Sequence, residues 1–352
     1  MTEASGALYS EAVPRHRGSI DRTMQAHDFA TQPNFQAPDI RMTTHEKPRV
    51  LIWTAKDQEA WRQPRSQPLP AAPPHAGDDA PPCDYAVVWK PPHALFATQA
   101  KLKAIFSLGA GVDGLLAMPS LPRDVPLVRM EDGGMADQMI EYALYVALRQ
   151  LRRFPAYARE QHAGRWSPQL ARTRQDFRVG VLGLGALGTK VATALAGFGF
   201  RVAGWSRTPH HLAGVATDHG AAGLDRVLAK SDLVVILLPL TDSTNRLLDH
   251  ERLRALPVGA CIANLSRGEV LDDDALLALI DAHHIDEAHL DVFAHEPLPD
   301  GHRYWSHPRV HVTPHIAALT DPLLAARQVA DKIRCIEAGR PITGVVDFER
   351  QY

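Results

Sequence analysis

Short apolar segments alternate with helical segments in the second half of the chain, and no other feature constrains the fold as strongly. The apolar runs are RVGVLG, FRVAGWS, LVVILLP, ACIANLS, AHLDVF and RVHVTP, and helical stretches such as GTKVATALAGF and DDDALLALIDAHH lie between them. Strands that are apolar on both faces and joined by helices form parallel sheets covered on both sides. The pattern therefore predicts an α/β fold with a doubly wound parallel sheet.

The first half of the chain carries a second, smaller α/β unit. Its strand-like runs are RVLIWTA, DYAVVWK, LKAIFSLG and VPLVRM, which fall between residues 49 and 132. Residues 62–82 contain seven prolines, which predicts a long loop instead of a further strand. Residues 1–47 are polar and have no sustained periodicity, so we expect a disordered N-terminal extension, with Met42 as an alternative start.

The length of 352 residues favours two domains. The segment MADQMIEYALYVALRQLRRF predicts a helix over residues 135–154 that is long enough to link them. Its apolar positions are Met139, Tyr142, Ala143, Val146 and Leu151. A final helix is predicted over about residues 321–338. This helix and the tail GVVDFERQY follow the last strand of the second unit, and we expect both to pack on the first domain.

Composition and charge point to a small-molecule ligand. The net charge is −2 and no basic run is present, which argues against nucleic acid or an anionic membrane as the partner. The longest apolar run, LVVILLPL, is too short to span a bilayer. The three cysteines, Cys83, Cys261 and Cys335, show no CxxC spacing, as is usual for reduced thiols. We therefore predict a cytoplasmic protein.

A glycine-rich loop joins the first strand of the larger unit to its helix. Gly183, Gly185 and Gly188 stand in G-x-G-x-x-G order directly after an apolar strand. The first glycine permits a tight turn, the second lets the backbone approach a pyrophosphate, and the third allows close helix packing. The N–H groups at the helix start attract the anion. The loop predicts a dinucleotide site, with a ligand-free glycine turn as the alternative.

The stretch RVAGWSRTPHH lacks the acidic residue that commonly accepts a hydrogen bond from the adenosine ribose of NAD. With the strand ending at Trp205, the expected position holds Ser206, Arg207 and Thr208. An arginine flanked by hydroxyls attracts a 2′-phosphate, whereas a carboxylate would repel it. The stretch therefore favours NADPH over NADH. The alternative is a solvated turn whose arginine contacts nothing.

Three polar residues follow predicted strands at the edge where ligands bind in open α/β sheets: Arg267 in NLSRGEV, Glu296 in DVFAHEPLP and His315 in VTPHIAA. Each has an ordinary alternative, namely bracing a loop for Arg267, an exposed loop for Glu296 and a surface histidine for His315. Together they suit reduction of a 2-oxo acid. The arginine can bind the carboxylate and polarise the carbonyl, and a histidine beside a carboxylate can supply the proton. The hydride would come from a nicotinamide.

Many of the 18 histidines lie between residues 283 and 315, which raises the alternative of a metal site. His307 and His311 show an i, i+4 spacing, but they straddle Pro308 in a predicted strand. We therefore expect no metal site.

Over about residues 49–352 the chain resembles the D-2-hydroxyacid dehydrogenase family, and within it the bacterial enzymes that reduce glyoxylate and hydroxypyruvate. The stretches that carry the resemblance are DYAVVWKPP, FSLGAGVDGLL, MEDGGMADQMIEYAL, GVLGLGALGTKVA, WSRT, NLSRGEV, LDVFAHEPLP and HPRVHVTPHIAALT. The resemblance implies two doubly wound parallel-sheet domains. These are a Rossmann cofactor domain over residues 133–318 and a discontinuous, flavodoxin-like substrate domain over 48–132 and 319–352. It also implies a homodimer formed through the linking helix.

The resemblance assigns roles to individual residues. It implies a catalytic trio of Arg267, Glu296 and His315, in which His315 donates the proton and Glu296 is its partner. Backbone N–H groups of GAGVD would hold the substrate carboxylate, and Trp89 would form a pocket wall, unless it is a core aromatic. The implied substrate contacts are Ala110, Gly111, Val112, Arg267 and Trp89. The implied cofactor contacts are Gly183, Gly185, Ala186, Leu187, Gly188, Ser206, Arg207, Thr208, Leu238, Pro239, Leu265, Ser266 and Asp291.

The sequence as a whole predicts an NADPH-dependent reductase of small 2-oxo acids, converting glyoxylate to glycolate and hydroxypyruvate to D-glycerate. One alternative is a dehydrogenase of the same family with a bulkier substrate. The other is a non-catalytic NAD(P)H-sensing protein, which could retain the cofactor loop and the trio.

Overall fold

The structure is a computed structural model that describes residues 48–54 and 81–352. The predicted disorder of residues 1–47 lies outside the described residues, as does the predicted proline-rich loop up to residue 80. In the described ranges, no helix is both long enough and apolar enough to cross a membrane.

The smaller unit is built on a parallel sheet whose four described strands lie side by side in chain order. They are β1 (Val50–Thr54), β2 (Tyr85–Trp89), β3 (Ala104–Ser107) and β4 (Leu127–Val128). All four predicted runs of this unit are therefore strands. Each is apolar and buried on both faces, as expected for parallel strands covered from two sides.

The last helix of the chain covers one face of this sheet. Helix α8 (Pro322–Glu337) places Ala325, Val329 and Ile333 in the apolar cluster that includes residues of β1, β2 and β3. After the helix, the chain returns to β4, where the Val346 N–H donates to the Leu127 carbonyl at 2.8 Å. The end of the chain therefore packs on the smaller unit. The short helix α1 (Asp113–Leu116) contributes to the cluster on the opposite face.

The larger unit is a parallel sheet with seven described strands in the order β11-β10-β9-β8-β5-β6-β7. They are β5 (Arg178–Leu182), β6 (Arg201–Ser206), β7 (Ala216–His219), β8 (Leu233–Ile236), β9 (Ala260–Asn264), β10 (Ile285–Leu290) and β11 (Val310–Val312). The six predicted runs are confirmed as strands. Strand β7 was missed, because three of its four residues are polar and all four are partly or fully exposed at the sheet edge. Strand β6 ends at Ser206, one residue beyond the prediction.

Apolar clusters cover both faces of the larger sheet, which makes it doubly wound as predicted. The helices are α4 (Ala186–Gly197), α5 (Gly220–Leu228), α6 (His250–Arg254) and α7 (Asp273–Asp281). The chain order reverses between β5 and β8, so their carboxyl ends open a crevice at this switch point.

The linking helix is shorter than predicted. Helix α2 spans Met135–Leu151, and a separate helix α3 spans Phe154–His162. The prediction of one helix over 135–154 was wrong at its end, because Arg153 adopts a left-handed φ of 55° and Pro155 lies in the first turn of the new helix. The predicted apolar side of α2 does pack against the larger sheet.

A buried ion pair fastens α2 to the larger sheet. The Arg149 guanidinium donates to both oxygens of Glu287 on β10, at 3.1 and 3.0 Å, and Gln150 donates to the same carboxylate at 2.8 Å. His289 and His311 aim their Nε2 atoms at it from 3.6 and 3.2 Å. Burial raises the pKa of the Glu287 carboxyl, but the two histidines and the arginine around it outweigh burial and hold the pKa well below its ordinary value.

We predict that Glu287→Gln lowers the free energy of unfolding by about 2–4 kcal/mol, because it leaves a largely buried arginine without its counter-charge. Urea unfolding at pH 7 measures this change. The matched control is Glu160→Gln, which removes a bidentate pair with Arg165 near the surface and should change stability little. The pKa of Glu287 in the folded protein lies below its unfolded value of about 4.3, so the ionised carboxylate stabilises the fold at pH values above about 4.3. The difference in stability between wild type and Glu287→Gln should therefore shrink as the pH falls below that value. A constant difference down to pH 3 would contradict the assignment.

Candidate active site

The glycine loop lies at the switch point of the larger sheet, where it turns from β5 into α4. Gly183 has a φ of +101°, which favours glycine, and a Cβ there would lie 2.6 Å from the Leu237 carbonyl oxygen. A Cβ on Gly188 would lie 1.7 Å from the Gly183 carbonyl oxygen. The tight turn and the close helix approach thus require both glycines.

Gly185 differs from the other two glycines of the loop, since a Cβ at this position would meet no atom of the described residues within 4 Å. The protein itself does not require glycine there, and the open space lies at the start of α4. An anion can therefore approach the first N–H groups of this helix. The loop has the shape and polarity that a dinucleotide pyrophosphate needs. Ala186 is the first residue of α4, and Leu187 packs toward the smaller unit.

The three residues expected near the adenosine ribose lie at the end of β6. The Ser206 hydroxyl donates to the Thr208 carbonyl at 2.8 Å, which tightens the turn. The Arg207 Nη2 donates to the Tyr352 hydroxyl at 2.6 Å. The arginine is therefore held by a neutral partner, and its positive charge remains available to an anion.

Arg267 follows β9 and reaches across to the smaller unit. Its Nε donates to Asp113 at 2.9 Å and its Nη1 to the Ser266 carbonyl at 2.6 Å. A Cβ on Gly111 would lie 1.7 Å from Arg267 Nη2, so only glycine lets the guanidinium come this close to the backbone. The structure thus brings Arg267 together with the GAGVD backbone, as the sequence predicted.

Trp89 lies beside the same loop. A Cβ on Gly109 would lie 2.1 Å from the indole Cζ3, so the ring rests directly on the loop backbone. Trp89, Ala110 and Leu187, which were predicted as a pocket wall, a substrate contact and a cofactor contact, all pack against one apolar cluster. Val112, another predicted substrate contact, is buried in the cluster on the opposite face.

His315 and Glu296 form a direct pair. The histidine Nδ1 lies 3.1 and 2.9 Å from the two carboxylate oxygens, and its side chain is 36% exposed. Burial raises the pKa of the Glu296 carboxyl, but the hydrogen bond and the charge of His315 outweigh burial and lower that pKa. The carboxylate is therefore ionised at neutral pH and can hold a protonated imidazole, with Nε2 as the second nitrogen for a reactant.

Asp291 organises the backbone around His315. Its carboxylate is buried and accepts from Thr313 Oγ1 at 2.6 Å and from the N–H groups of Ile316 and Ala317 at 2.8 Å each. The His315 N–H donates to the Asp291 carbonyl at 2.8 Å, and His315 has a φ of +54°. Asp291 was predicted as a cofactor contact, and in this structure its carboxylate holds the histidine loop.

The remaining predicted cofactor contacts line the carboxyl ends of β8 and β9. Leu238, Leu265 and Ser266 are buried, and Pro239 is half-buried. The two histidines considered as a metal-ligating pair have different neighbours. His307 lies 3.1 Å from Asp281, whereas His311 stacks on His289 at a ring distance of 4.5 Å.

Sequence reasoning missed two partners of the predicted site. Asp113 stands in the quoted GAGVD stretch, but its pairing with Arg267 spans 154 positions. Tyr352 pairs with Arg207 across 145 positions. No local pattern signals either contact, because both depend on how distant segments pack.

Comparison with known proteins identifies the family. The family model for the NAD-binding domain of D-isomer specific 2-hydroxyacid dehydrogenases matches residues 144–317. Glyoxylate/hydroxypyruvate reductase A of Serratia proteamaculans is 45% identical over 297 residues, which cover 82% of this chain and 95% of the relative. The chain belongs to the D-2-hydroxyacid dehydrogenase family. The reductase of the same name from Yersinia enterocolitica is 44% identical, over 78% of this chain and 89% of its own length.

Solved structures of D-2-hydroxyacid dehydrogenases share this fold. The enzyme of Xanthobacter autotrophicus Py2, crystallised with NADPH and MES, matches with a TM-score of 0.81 and 43% identity, over 87% of this chain and all of its own. The NADPH-dependent glyoxylate/hydroxypyruvate reductase of Sinorhizobium meliloti, in complex with NADP and sulfate, matches with a TM-score of 0.78 and 34% identity over 87% of this chain and 100% of its own. As a D-2-hydroxyacid dehydrogenase, the protein is a nicotinamide-dependent oxidoreductase.

We predict that Gly185→Ala weakens dinucleotide binding by about tenfold or more and leaves stability unchanged, because the methyl group enters space that only a ligand would occupy. Calorimetric titration with NADP+ and thermal unfolding measure the two effects. The matched control is Gly197→Ala at the other end of α4, where a Cβ also meets nothing within 4 Å. It should stabilise the protein by up to about 1 kcal/mol without changing binding. Unchanged binding in Gly185→Ala would contradict the site.

Proposed function

We propose that this D-2-hydroxyacid dehydrogenase reduces small 2-oxo acids with NADPH, converting glyoxylate to glycolate and hydroxypyruvate to D-glycerate. The observation that carries the proposal is that Arg267 meets the Gly111 backbone, while His315 pairs with Glu296 after other strands of the same larger sheet. An anion clamp and a proton donor are the two groups that reduction of a 2-oxo acid requires of the protein.

Arg267 binds and orients the substrate in this proposal. Its guanidinium can bind a carboxylate through a charge-assisted hydrogen bond, and the backbone of residues 110–112 approaches the same anion. Asp113 fixes the guanidinium through Nε at 2.9 Å, which leaves Nη2 beside Gly111 to face the substrate. The oriented positive charge also polarises the 2-oxo group, because it lies next to the carboxylate.

His315 supplies the proton. Glu296 engages Nδ1, so Nε2 is the nitrogen that can donate to the oxygen formed as the carbonyl is reduced. Asp291 holds the loop that orients the ring. A positioned acid of this kind contributes about 10² to 10⁴ in rate. When bound, the nicotinamide supplies the hydride.

Arg207 underlies the preference for NADPH over NADH. It stands at the end of β6 with Ser206 and Thr208, and no acidic residue accompanies it in that turn. A guanidinium attracts a 2′-phosphate through charge and hydrogen bonds, whereas the 2′-hydroxyl of NADH carries no charge. The structures from Xanthobacter autotrophicus and Sinorhizobium meliloti hold NADPH and NADP respectively, which supports the same choice here.

The location and assembly form part of the same proposal. We propose a cytoplasmic enzyme whose substrate domain comprises residues 48–132 and 319–352 and whose cofactor domain comprises 133–318. The packing of α8 on the smaller sheet supports this division. We also propose a homodimer formed through helix α2, whose Tyr145 is 55% exposed.

The decisive assay follows NADPH oxidation by the purified full chain with glyoxylate and with hydroxypyruvate. We expect turnover with both acids. We also expect kcat/KM for NADPH to be at least about tenfold above that for NADH, because one charge-assisted hydrogen bond to the 2′-phosphate contributes about that factor. Arg207→Ala should remove most of this preference. Faster turnover of a bulkier 2-oxo acid would overturn the assignment of glyoxylate and hydroxypyruvate as the substrates. Equal use of NADH would overturn the cofactor preference, and no turnover with any 2-oxo acid would support a non-catalytic sensor.

The pH dependence tests the proton donor. We expect the reductive rate to fall on the alkaline side as His315 loses its proton. Glu296→Gln removes the carboxylate that orients the ring through Nδ1, so kcat at neutral pH should fall by about 10²-fold. Profiles of kcat between pH 5 and 10 measure both effects. A flat profile to pH 10, or an unchanged kcat in the variant, would exclude the pair as the acid.

A further inference from the structure

A tyrosine from the far end of the chain lies on the arginine of the proposed 2′-phosphate site. The Tyr352 hydroxyl accepts from Arg207 Nη2 at 2.6 Å, and the guanidinium carbon lies 5.1 Å from the centre of the phenol ring. In the described part of the chain, Tyr352 is the hydrogen-bond partner of this guanidinium. The contact combines a directed hydrogen bond with a cation–π interaction.

Tyr352 is held in place from two sides. The Gln351 side chain accepts from the Asp242 N–H at 2.9 Å and donates to the Asp242 carboxylate at 3.0 Å. Asp242 belongs to the loop after β8, the strand beside the glycine-loop strand β5. Upstream, Val346 is fixed to β4 by its hydrogen bond to Leu127. The segment 345–352 thus runs from the smaller sheet to the cofactor edge of the larger sheet.

We propose that Tyr352 is a specificity-determining residue, which positions Arg207 to bind the 2′-phosphate of the cofactor. The inference rests on the proposed function, in which Arg207 recognises that phosphate. An exposed arginine samples many rotamers, and ordering it on binding costs free energy. A tyrosine that already holds the guanidinium removes part of this cost, so the phosphate binds to a prepared site.

The chemistry of the partner matters as much as its position. A carboxylate in place of the phenol would compete with the phosphate for the guanidinium and would repel the phosphate directly. The neutral hydroxyl uses one N–H of Arg207 and leaves its charge and its other N–H groups for phosphate oxygens. The opposite role is also testable: if the phenol occupied the place of the phosphate, its removal would strengthen binding.

The test measures binding without turnover. The full chain and its variants are titrated calorimetrically with adenosine 2′,5′-diphosphate, which carries the 2′-phosphate, and with adenosine 5′-monophosphate, which lacks it. We expect Tyr352→Phe to weaken the diphosphate about three- to tenfold and Tyr352→Ala about ten- to thirtyfold, because the second variant also removes the ring contact. Binding of the monophosphate should change less than about twofold in both.

Phe348→Ala is the matched control. It removes another arginine–aromatic contact of the same segment, since the Arg123 guanidinium lies 5.2 Å from the Phe348 ring, away from the cofactor edge. We expect its ratio of diphosphate to monophosphate affinity to equal that of the wild type. Thermal unfolding of every variant shows whether the fold is retained, and the affinity ratio separates lost phosphate recognition from general loosening of the segment.

Arg207→Ala separates this inference from the proposed function. If Arg207→Ala loses preference for the diphosphate and the Tyr352 variants keep it, the role of Tyr352 is overturned and the cofactor assignment stands. If the Tyr352 variants bind the diphosphate more tightly, the tyrosine is a competitor and the proposal is also overturned. If Arg207→Ala itself keeps the preference, both the inference and the NADPH assignment fail.

Discussion

The meeting of Arg267 with the Gly111 backbone is the contact on which the candidate site depends. Arg267 belongs to the larger sheet and Gly111 to the smaller unit, so neither sheet alone could form the anion clamp. The approach requires glycine at 111, because a Cβ would lie 1.7 Å from the guanidinium nitrogen. It also requires Asp113, which turns the guanidinium by binding Nε. The larger sheet thus supplies the Arg267 guanidinium, and Asp113 of the smaller unit orients it.

The same division of labour recurs around the cofactor site. The glycine loop, Arg207 and the loop after β8 belong to the larger sheet, whereas Tyr352 arrives on a segment anchored to β4. Contacts between the two units therefore hold both Arg267 and Arg207. Because the units are joined at these points, a change in their packing would alter substrate and cofactor recognition together.

Much of the fold followed from local patterns. The strands of both sheets were predicted because apolar runs of strand length, separated by helical stretches, have few other arrangements. The predictions failed where local patterns are weak. Strand β7 is polar and lies at an edge, and the end of α2 depends on how the chain accommodates Pro155 and Arg153. The pairing of His315 with Glu296 was implied by the family resemblance, and the two residues meet because they follow the neighbouring parallel strands β11 and β10.

By itself, the sequence determined the residue types at the strand ends, the glycine spacing at the start of α4 and the absence of an acidic residue beside Arg207. These features are local, because backbone geometry over a few residues sets them. Only the tertiary structure decided which side chains hold the functional groups: Asp113 on Arg267, Asp291 under the His315 loop and Tyr352 on Arg207. Such partners lie up to 154 positions apart, and their contacts exist only because packing of the two sheets brings distant segments within hydrogen-bond reach.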